Sequence, residues 1–363
     1  MEDMLIEALA AYGITESAVP FGNGHVNNTY LLPQTGAVLQ RINTAAFHRP
    51  AEVMDNMLAV TDFLRRKAKA SGEDAARATL TILPTIDGKP YYSPTPDICY
   101  RLCKLVDGVC YDSVADNAML SRAGEAFGKF QNMLSDFPAE TLYETIPHFH
   151  DTPARIDALR TAANTDLVGR AAEVEKELAF AMARADEMDV VTRGLADGSI
   201  PLRVTHNDTK LNNVIFDRES GAPLAVIDLD TVMSGSMLYD FGDAVRFGAS
   251  SAAEDEKDLA KVQVDLAKFE AFTRGYLTTV HDTITARELE LLPYAARLIT
   301  YECGIRFLTD YLNGDAYFRI HYPTQNLDRA RTQLKLVADM EAKTVEMERI
   351  VARLWAWSAT PLQ

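Results

Sequence analysis

The chain has 363 residues, too many for a single small core, and its 47% hydrophobic content is enough to fill two. With 52 acidic against 36 basic residues the net charge is −16, which argues against a general nucleic-acid or anionic-membrane surface. Cys99, Cys103, Cys110 and Cys303 lack zinc-type spacing and read as reduced, buried small residues. The acidic, amphipathic start MEDMLIEALAAYGI is no secretory signal, and no apolar run is long enough to span a membrane, so a cytoplasmic location is expected.

Met4, Leu5, Ala8, Leu9 and Tyr12 recur at helical spacing, with Gly13 as the stop. Strand-like sequence follows over Phe21–Leu32 and Val38–Ile42, separated by a Gln34-Thr35-Gly36 turn. Gly22, Asn23 and Gly24 open the first of these in a Gly-x-Gly-x-x-Asn pattern. Glycines there let a backbone come close to phosphates, whereas a dinucleotide fold would put a helix directly after them. Arg41 ends the second strand. Pro50 to about Lys69 is a helix with Val53, Met54, Met57, Val60 and Leu64 on one face and the acids Glu52 and Asp55 in its first turns.

Leu80–Pro84 and Ile98–Leu105 are expected strands, and the second runs into a boundary near Leu105 to Gly108, giving domains 1–107 and 108–363. From Val114 onward the periodicity is helical: Met119, Ala123, Ala126, Phe127, Phe130 and Leu134 make one buried face, and Leu167 to Met188 reads as one long amphipathic helix. His148 and His150 lie in a turn between them without a third metal ligand. Helices are also expected over Val262–Leu277, Glu288–Leu312 and Pro323–Leu354. Arg306 interrupts the second of these, and Tyr317 follows its end. Trp355 and Trp357 either pack a terminus or close a pocket.

The segment Val204 to Asp243 carries the chemistry. His206-Asn207-Asp208 is followed by Asn213 five residues on, then by a hairpin of Val214–Phe216 and Leu224–Ile227 that returns the chain at Asp228 and Asp230. Oxygen-bearing side chains in this arrangement suit a hard cation that also binds phosphate, since Mg2+ takes one or two carboxylate or amide oxygens and keeps its other positions for water and phosphoryl groups. His-x-Asp-x-x-x-x-Asn, a hairpin and an Asp is the order of the protein kinase catalytic loop and its metal-binding residue. Asp240-Phe241-Gly242 repeats the kinase metal motif too late in the chain, and a bracing role suits it better.

On these residues the chain resembles the aminoglycoside phosphotransferase and choline kinase family. Its stretches HNDTKLNN, VIDLDTV and YDFGD resemble most closely the bacterial N-acetylhexosamine 1-kinases. The resemblance implies an α+β, bilobal protein-kinase-like fold, with a small β-rich N-terminal nucleotide lobe and a large helical C-terminal lobe. It implies ATP and Mg2+ as cofactors, and transfer of a phosphoryl group to the anomeric hydroxyl of an N-acetylhexosamine. Asp208 would orient or accept the hydroxyl proton, His206 would brace the loop, and Lys210 is placed to neutralise the transferring group. Asn213 and Asp228 would hold Mg2+, and Gly22, Asn23, Gly24 and Arg41 would hold phosphates, with Asp55 or Glu52 as the partner of Arg41. Asp230, Arg306 and Tyr317 would face the sugar, with Asp230 also a candidate for the metal. The expected partners are nucleotide and sugar alone, on a monomer or weak homodimer. Another acceptor on the same fold, a nucleotide-binding pseudokinase and a metallohydrolase built on His206, Asp208, Asp228 and Asp230 are the alternatives.

Overall fold

The computed structural model describes residues 2–22 and 26–358. Asn23 and Gly24 of the glycine hairpin lie outside the described residues. The chain forms two compact units: Met1–Cys110 with Asp136–Pro147 and Asn213–Ser234, and Tyr111–Ser135 with His148–Asn212 and Gly235–Gln363.

The first unit is built on an antiparallel sheet whose strands run Val19–Pro20, Asn28–Leu32, Ala37–Arg41, Ile98–Lys104 and Ile82–Leu83 in spatial order. Tyr92–Thr95, for which no element is expected from the sequence, adds a further strand beside Ile98–Lys104. The expected strand at Leu80–Pro84 shrinks to Ile82–Leu83, because Pro84 has no N–H to extend the ladder. The helix Glu2–Ala11 lays Ala8 and Leu9, with Tyr12 just beyond it, on Leu32, Leu39, Tyr100 and Leu102 of the sheet. Gly13 ends it in the left-handed region at φ +69°.

The helix Pro50–Ala70 buries Val53, Met54, Met57, Val60 and Leu64, the expected face. Its buried Asn56 explains why distant segments join this unit. The Asn56 amide donates to the carbonyl oxygens of Tyr143 at 2.8 Å and Val232 at 3.0 Å, and its oxygen accepts the Tyr143 N–H at 2.8 Å. The hairpin pairs Val214–Phe216 with Pro223–Val226.

The second unit is helical. Asn117–Met133 and Leu266–Val280 approach so closely that a Cβ on Gly275 would lie 1.8 Å from the Ser121 carbonyl oxygen and one on Gly124 2.3 Å from that of Phe272. Leu292–Leu312 is buried on nearly all sides, the property of a central helix, and packs on Met237–Gly248, Gln325–Ala342 and Thr152–Thr165.

Three expected long helices are broken. Leu167–Met188 becomes two 3-10 turns around the helix Glu175–Met182. At its end Arg184 donates to the Phe180 carbonyl and pairs with Glu341 at 2.8 Å, contacts that favour a bend over an exposed helix. Pro323–Leu354 divides into Gln325–Ala342 and Thr344–Ser358 at Lys343, whose ammonium is held by Asp339 and the Val264 carbonyl. Glu288–Leu312 divides at Leu291, where Pro293 starts the second helix. Cys99 and Cys103 are buried and burial pushes their thiols up, to about 12 and about 11, whereas Cys110 is exposed.

Candidate active site

In the second unit the loop after the strand Arg203–Thr205 is held from below by two acids on one face of the helix Met237–Gly248. Asp240 accepts the backbone N–H groups of His206 at 2.9 Å and Asn207 at 2.8 Å and the Gln131 amide at 2.7 Å. These donors occupy the carboxylate, so Asp240 braces the loop backbone, the role expected for the late Asp-Phe-Gly motif. Burial nevertheless pushes its carboxyl above the usual range. Asp243 accepts the Thr209 N–H at 3.0 Å and pairs with Arg246 at 2.9 Å, which in turn pairs with Glu254. Burial disfavours the Asp243 charge, but Arg246 and Lys210 hold its carboxyl below the ordinary value.

His206 is fully buried against Phe127 and Phe130, each ring centroid 5.9 Å away, and its Nδ1 accepts the Asp208 N–H at 3.2 Å. Asn207 takes a left-handed backbone at φ +66°, which turns the chain so that Asp208 follows a buried histidine and is itself partly exposed. The Lys210 ammonium lies 2.7 Å from Asp208 Oδ1. Burial works against the Lys210 charge, yet Asp208 and Asp243 hold its pKa above the ordinary value. A carboxylate and an ammonium are thus presented together on a loop whose backbone is fixed by buried groups, which suits proton acceptance beside a charged leaving group.

In the first unit the hairpin does what its pattern requires. Val214 pairs with Val226, and the Ile227 N–H donates to the Asn213 carbonyl at 2.9 Å, so Asp228 follows directly on a residue bonded to Asn213. Asp228 is left-handed at φ +60°, a strained placement for a non-glycine that recurs at ligand sites. One amide oxygen and one carboxylate fit a cation that takes its other ligands from water and phosphate.

Asp230, expected at metal or sugar, is placed otherwise. It is 3% exposed, ion-paired with the fully buried Arg101, and its second oxygen accepts the Asn27 amide. Arg101 also donates to Gln40 Oε1 at 3.0 and 2.8 Å, and Asn27 Oδ1 accepts the Asn43 N–H at 2.9 Å. Asn27 stands at the third place of the glycine pattern, and these bonds give a reason for a side chain there. No ion pair joins Arg41 to Asp55 or Glu52 among the described residues. Asp55 is exposed, and Glu52 pairs with Arg49 at 2.9 Å. Gly22 is left-handed at φ +77°, a conformation open to glycine at little cost.

On the helical side Arg306 lies over the rings of Phe149 and Phe318, 5.3 and 5.6 Å from their centroids. Tyr317 is exposed, and its N–H is held by Asp310 at 2.8 Å. Sequence reasoning missed Arg101, Gln131, Arg155 and Glu302. A charged residue inside an apolar strand or helix was the available signal for Arg101 and Glu302. Gln131 and Arg155 had none.

The fold is that of a protein-kinase-like phosphotransferase, a sheet-rich N-terminal part and a helical C-terminal part. The family described as "Phosphotransferase enzyme family" matches residues 17–275, and the chain belongs to it. Solved structures of the same fold include a microcompartment-associated aminopropanol kinase, 18% identical, covering 96% of this chain and 99% of that one at a TM-score of 0.65. An amicoumacin kinase in complex with AMP-PNP and Ca2+ is 14% identical, covering 97% and 93% at 0.58. A choline/ethanolamine kinase family protein from Mesorhizobium loti is 15% identical, covering 98% and 99% at 0.56.

Proposed function

We propose that this phosphotransferase moves the γ-phosphoryl group of ATP to the anomeric hydroxyl of an N-acetylhexosamine, N-acetylglucosamine or N-acetylgalactosamine, and releases the 1-phosphate. Asp208 orients the acceptor hydroxyl and takes its proton. His206 and Asp240 hold the loop that presents Asp208. Lys210 offsets charge on the transferring group. Asn213 and Asp228 hold Mg2+, which when bound neutralises phosphate charge. Gly22, Asn23 and Gly24 bring backbone N–H groups to the phosphates, and Arg41 adds a cation to them. Arg306 and Tyr317 face the sugar. Asp230 acts at one remove, by fixing with Arg101 and Asn27 the turn that carries Asp228.

One observation favours a neutral acceptor over the cationic amino alcohols and aminoglycosides named for the relatives of this fold. Neither Arg306 nor Arg155 has an ion-pair partner among the described residues, while the adjacent Glu302 is bonded to His150 and Thr152. Guanidinium groups that are not closed into an ion pair suit the oxygens of a polyol or an amide. A panel of N-acetylhexosamines, plain hexoses, amino alcohols and aminoglycosides, read by ADP release, tests the reading. Turnover with the N-acetylhexosamines at least about tenfold more efficient than with glucose or galactose supports it. Turnover of a cationic acceptor alone overturns it and leaves an amino-alcohol or antibiotic kinase.

A further inference from the structure

The second unit holds a buried polar cluster that the phosphoryl-transfer loop does not use. Glu302, 1% exposed inside the helix Leu292–Leu312, accepts the Thr152 hydroxyl at 2.6 Å and His150 Nδ1 at 2.8 Å. Burial disfavours its charge, but His150, Arg306 and Thr152 hold its carboxyl below the ordinary value. Nδ1 lies against an acceptor-only carboxylate, so the neutral tautomer that suits this contact carries its proton on Nδ1 and presents Nε2 as an acceptor. The ring is clamped between Phe149 and Tyr239, both centroids 4.7 Å away, and the side chain is 8% exposed. Nε2 has no hydrogen-bond partner among the described residues, nor has Arg155 Nε.

An unmet buried acceptor is costly, and native proteins keep few of them. Here the aromatic clamp and the charged partner hold the ring where the cost is incurred, so its orientation serves something outside the protein. Arg306 flanks the same Phe149 ring as His150 and stands one helical turn after Glu302. An acceptor nitrogen and a donor guanidinium that both lie against one apolar ring match the N–H, the carbonyl and the methyl group of an acetamide.

We propose that His150 Nε2 accepts the N–H of the acceptor's acetamido group while Arg306 donates to its carbonyl oxygen. Glu302 is the positioning residue that sets the imidazole. This rests on the N-acetylhexosamine reading, and makes His150 the residue that separates an acetamido sugar from its hydroxyl counterpart.

Two measurements test it. The wild-type enzyme is offered N-acetylglucosamine and the 2-O-acetyl ester of glucose, which keeps the carbonyl and lacks the N–H. At least about a tenfold loss of kcat/KM for the ester is expected, since a site built to bond a group rejects an analogue without it. Equal use of both overturns the assignment without any variant. In His150→Asn the side-chain amide still reaches Glu302, but nothing stands where Nε2 stood. Efficiency with N-acetylglucosamine should fall about tenfold or more, with glucose by less than about twofold, and the nucleotide KM should hold. A parallel loss with both sugars, or no loss with either, assigns His150 a structural role and overturns the proposal. Wild-type enzyme inactive on every N-acetylhexosamine would defeat the parent reading and this inference with it. Wild-type enzyme active on them but indifferent to the ester would defeat this inference alone.

Discussion

Two of the buried ionic clusters, the one around Arg101 in the first unit and the one around Glu302 in the second, differ in how completely they are closed. Around Arg101 every polar atom is matched: guanidinium to Asp230 and Gln40, Asp230 to Asn27, Asn27 to the Asn43 backbone, Gln40 to Thr29. Around Glu302 the acid is matched, but among the described residues His150 Nε2 and Arg155 Nε are not, and the neighbouring guanidinium groups of Arg155 and Arg306 feel the charge of Glu302 without forming an ion pair. Closure of the first cluster leaves nothing for a ligand and makes it a matter of stability. The open cluster gives up stability to keep hydrogen-bonding groups presented. Charge burial by itself therefore does not mark a binding site. What sets the second cluster apart is unmet hydrogen-bonding capacity beside a buried charge.

The largest expected effect lies in the closed cluster. Arg101→Ala leaves Asp230 charged and buried, and loss of one partner of such a pair costs about 3–5 kcal/mol. Urea unfolding should show a loss of this size, and a change below about 1 kcal/mol would mean the pair is relaxed or hydrated. Next in size is Asp208→Asn, which should slow turnover about a hundredfold or more with little change in nucleotide affinity. Turnover at the wild-type rate would take Asp208 out of the chemistry. Asn27→Gly restores the glycine pattern but removes two hydrogen bonds from the closed cluster, an expected cost of about 1–3 kcal/mol. A stabilised protein would show that Asn27 is not part of the closure.

The smallest effect belongs to the open cluster. Glu302→Gln keeps an oxygen to accept from His150, so stability at neutral pH should change by no more than about 1–2 kcal/mol. Its pH dependence is the sharper readout. A carboxyl held below its unfolded value stabilises the fold above the ordinary glutamate range and loses that contribution as pH falls through the folded value. The acid limb of a stability profile should be shallower in Glu302→Gln than in wild type, and superimposable profiles would contradict the assignment.

The kinase-like fold was legible because its marks are local: alternating strands after Gly13, a turn between two apolar runs after Asn213, and helical periodicity from Val114 onward. What was not legible depends on partners far away in the chain. Asp230 resembles a ligand until Arg101 is placed beside it across 129 positions. The periodicity from Leu167 to Met188 continues through Arg184, and only the contact with Glu341 shows why the helix does not. Glu302 and Arg306 both stand out in an apolar helix, but the sequence offers no way to learn that one is hydrogen-bonded within the fold and the other lies over two aromatic rings outside any ion pair. Of the glycine hairpin, the sequence marks the backbone freedom at Gly22, while the reason for Asn27 needs the side chains of Asp230 and Asn43.

The proposed reaction places phosphate on the anomeric oxygen of an N-acetylhexosamine. Phosphorus–proton correlation NMR of the product formed from ATP and N-acetylglucosamine or N-acetylgalactosamine reads that bond directly. A phosphorus resonance coupled to the anomeric proton is expected, absent when Asp208→Asn replaces the wild-type enzyme over the same time. A phosphorus resonance coupled to the protons on carbon 6, or phosphorylation confined to choline or an aminoglycoside, would contradict it.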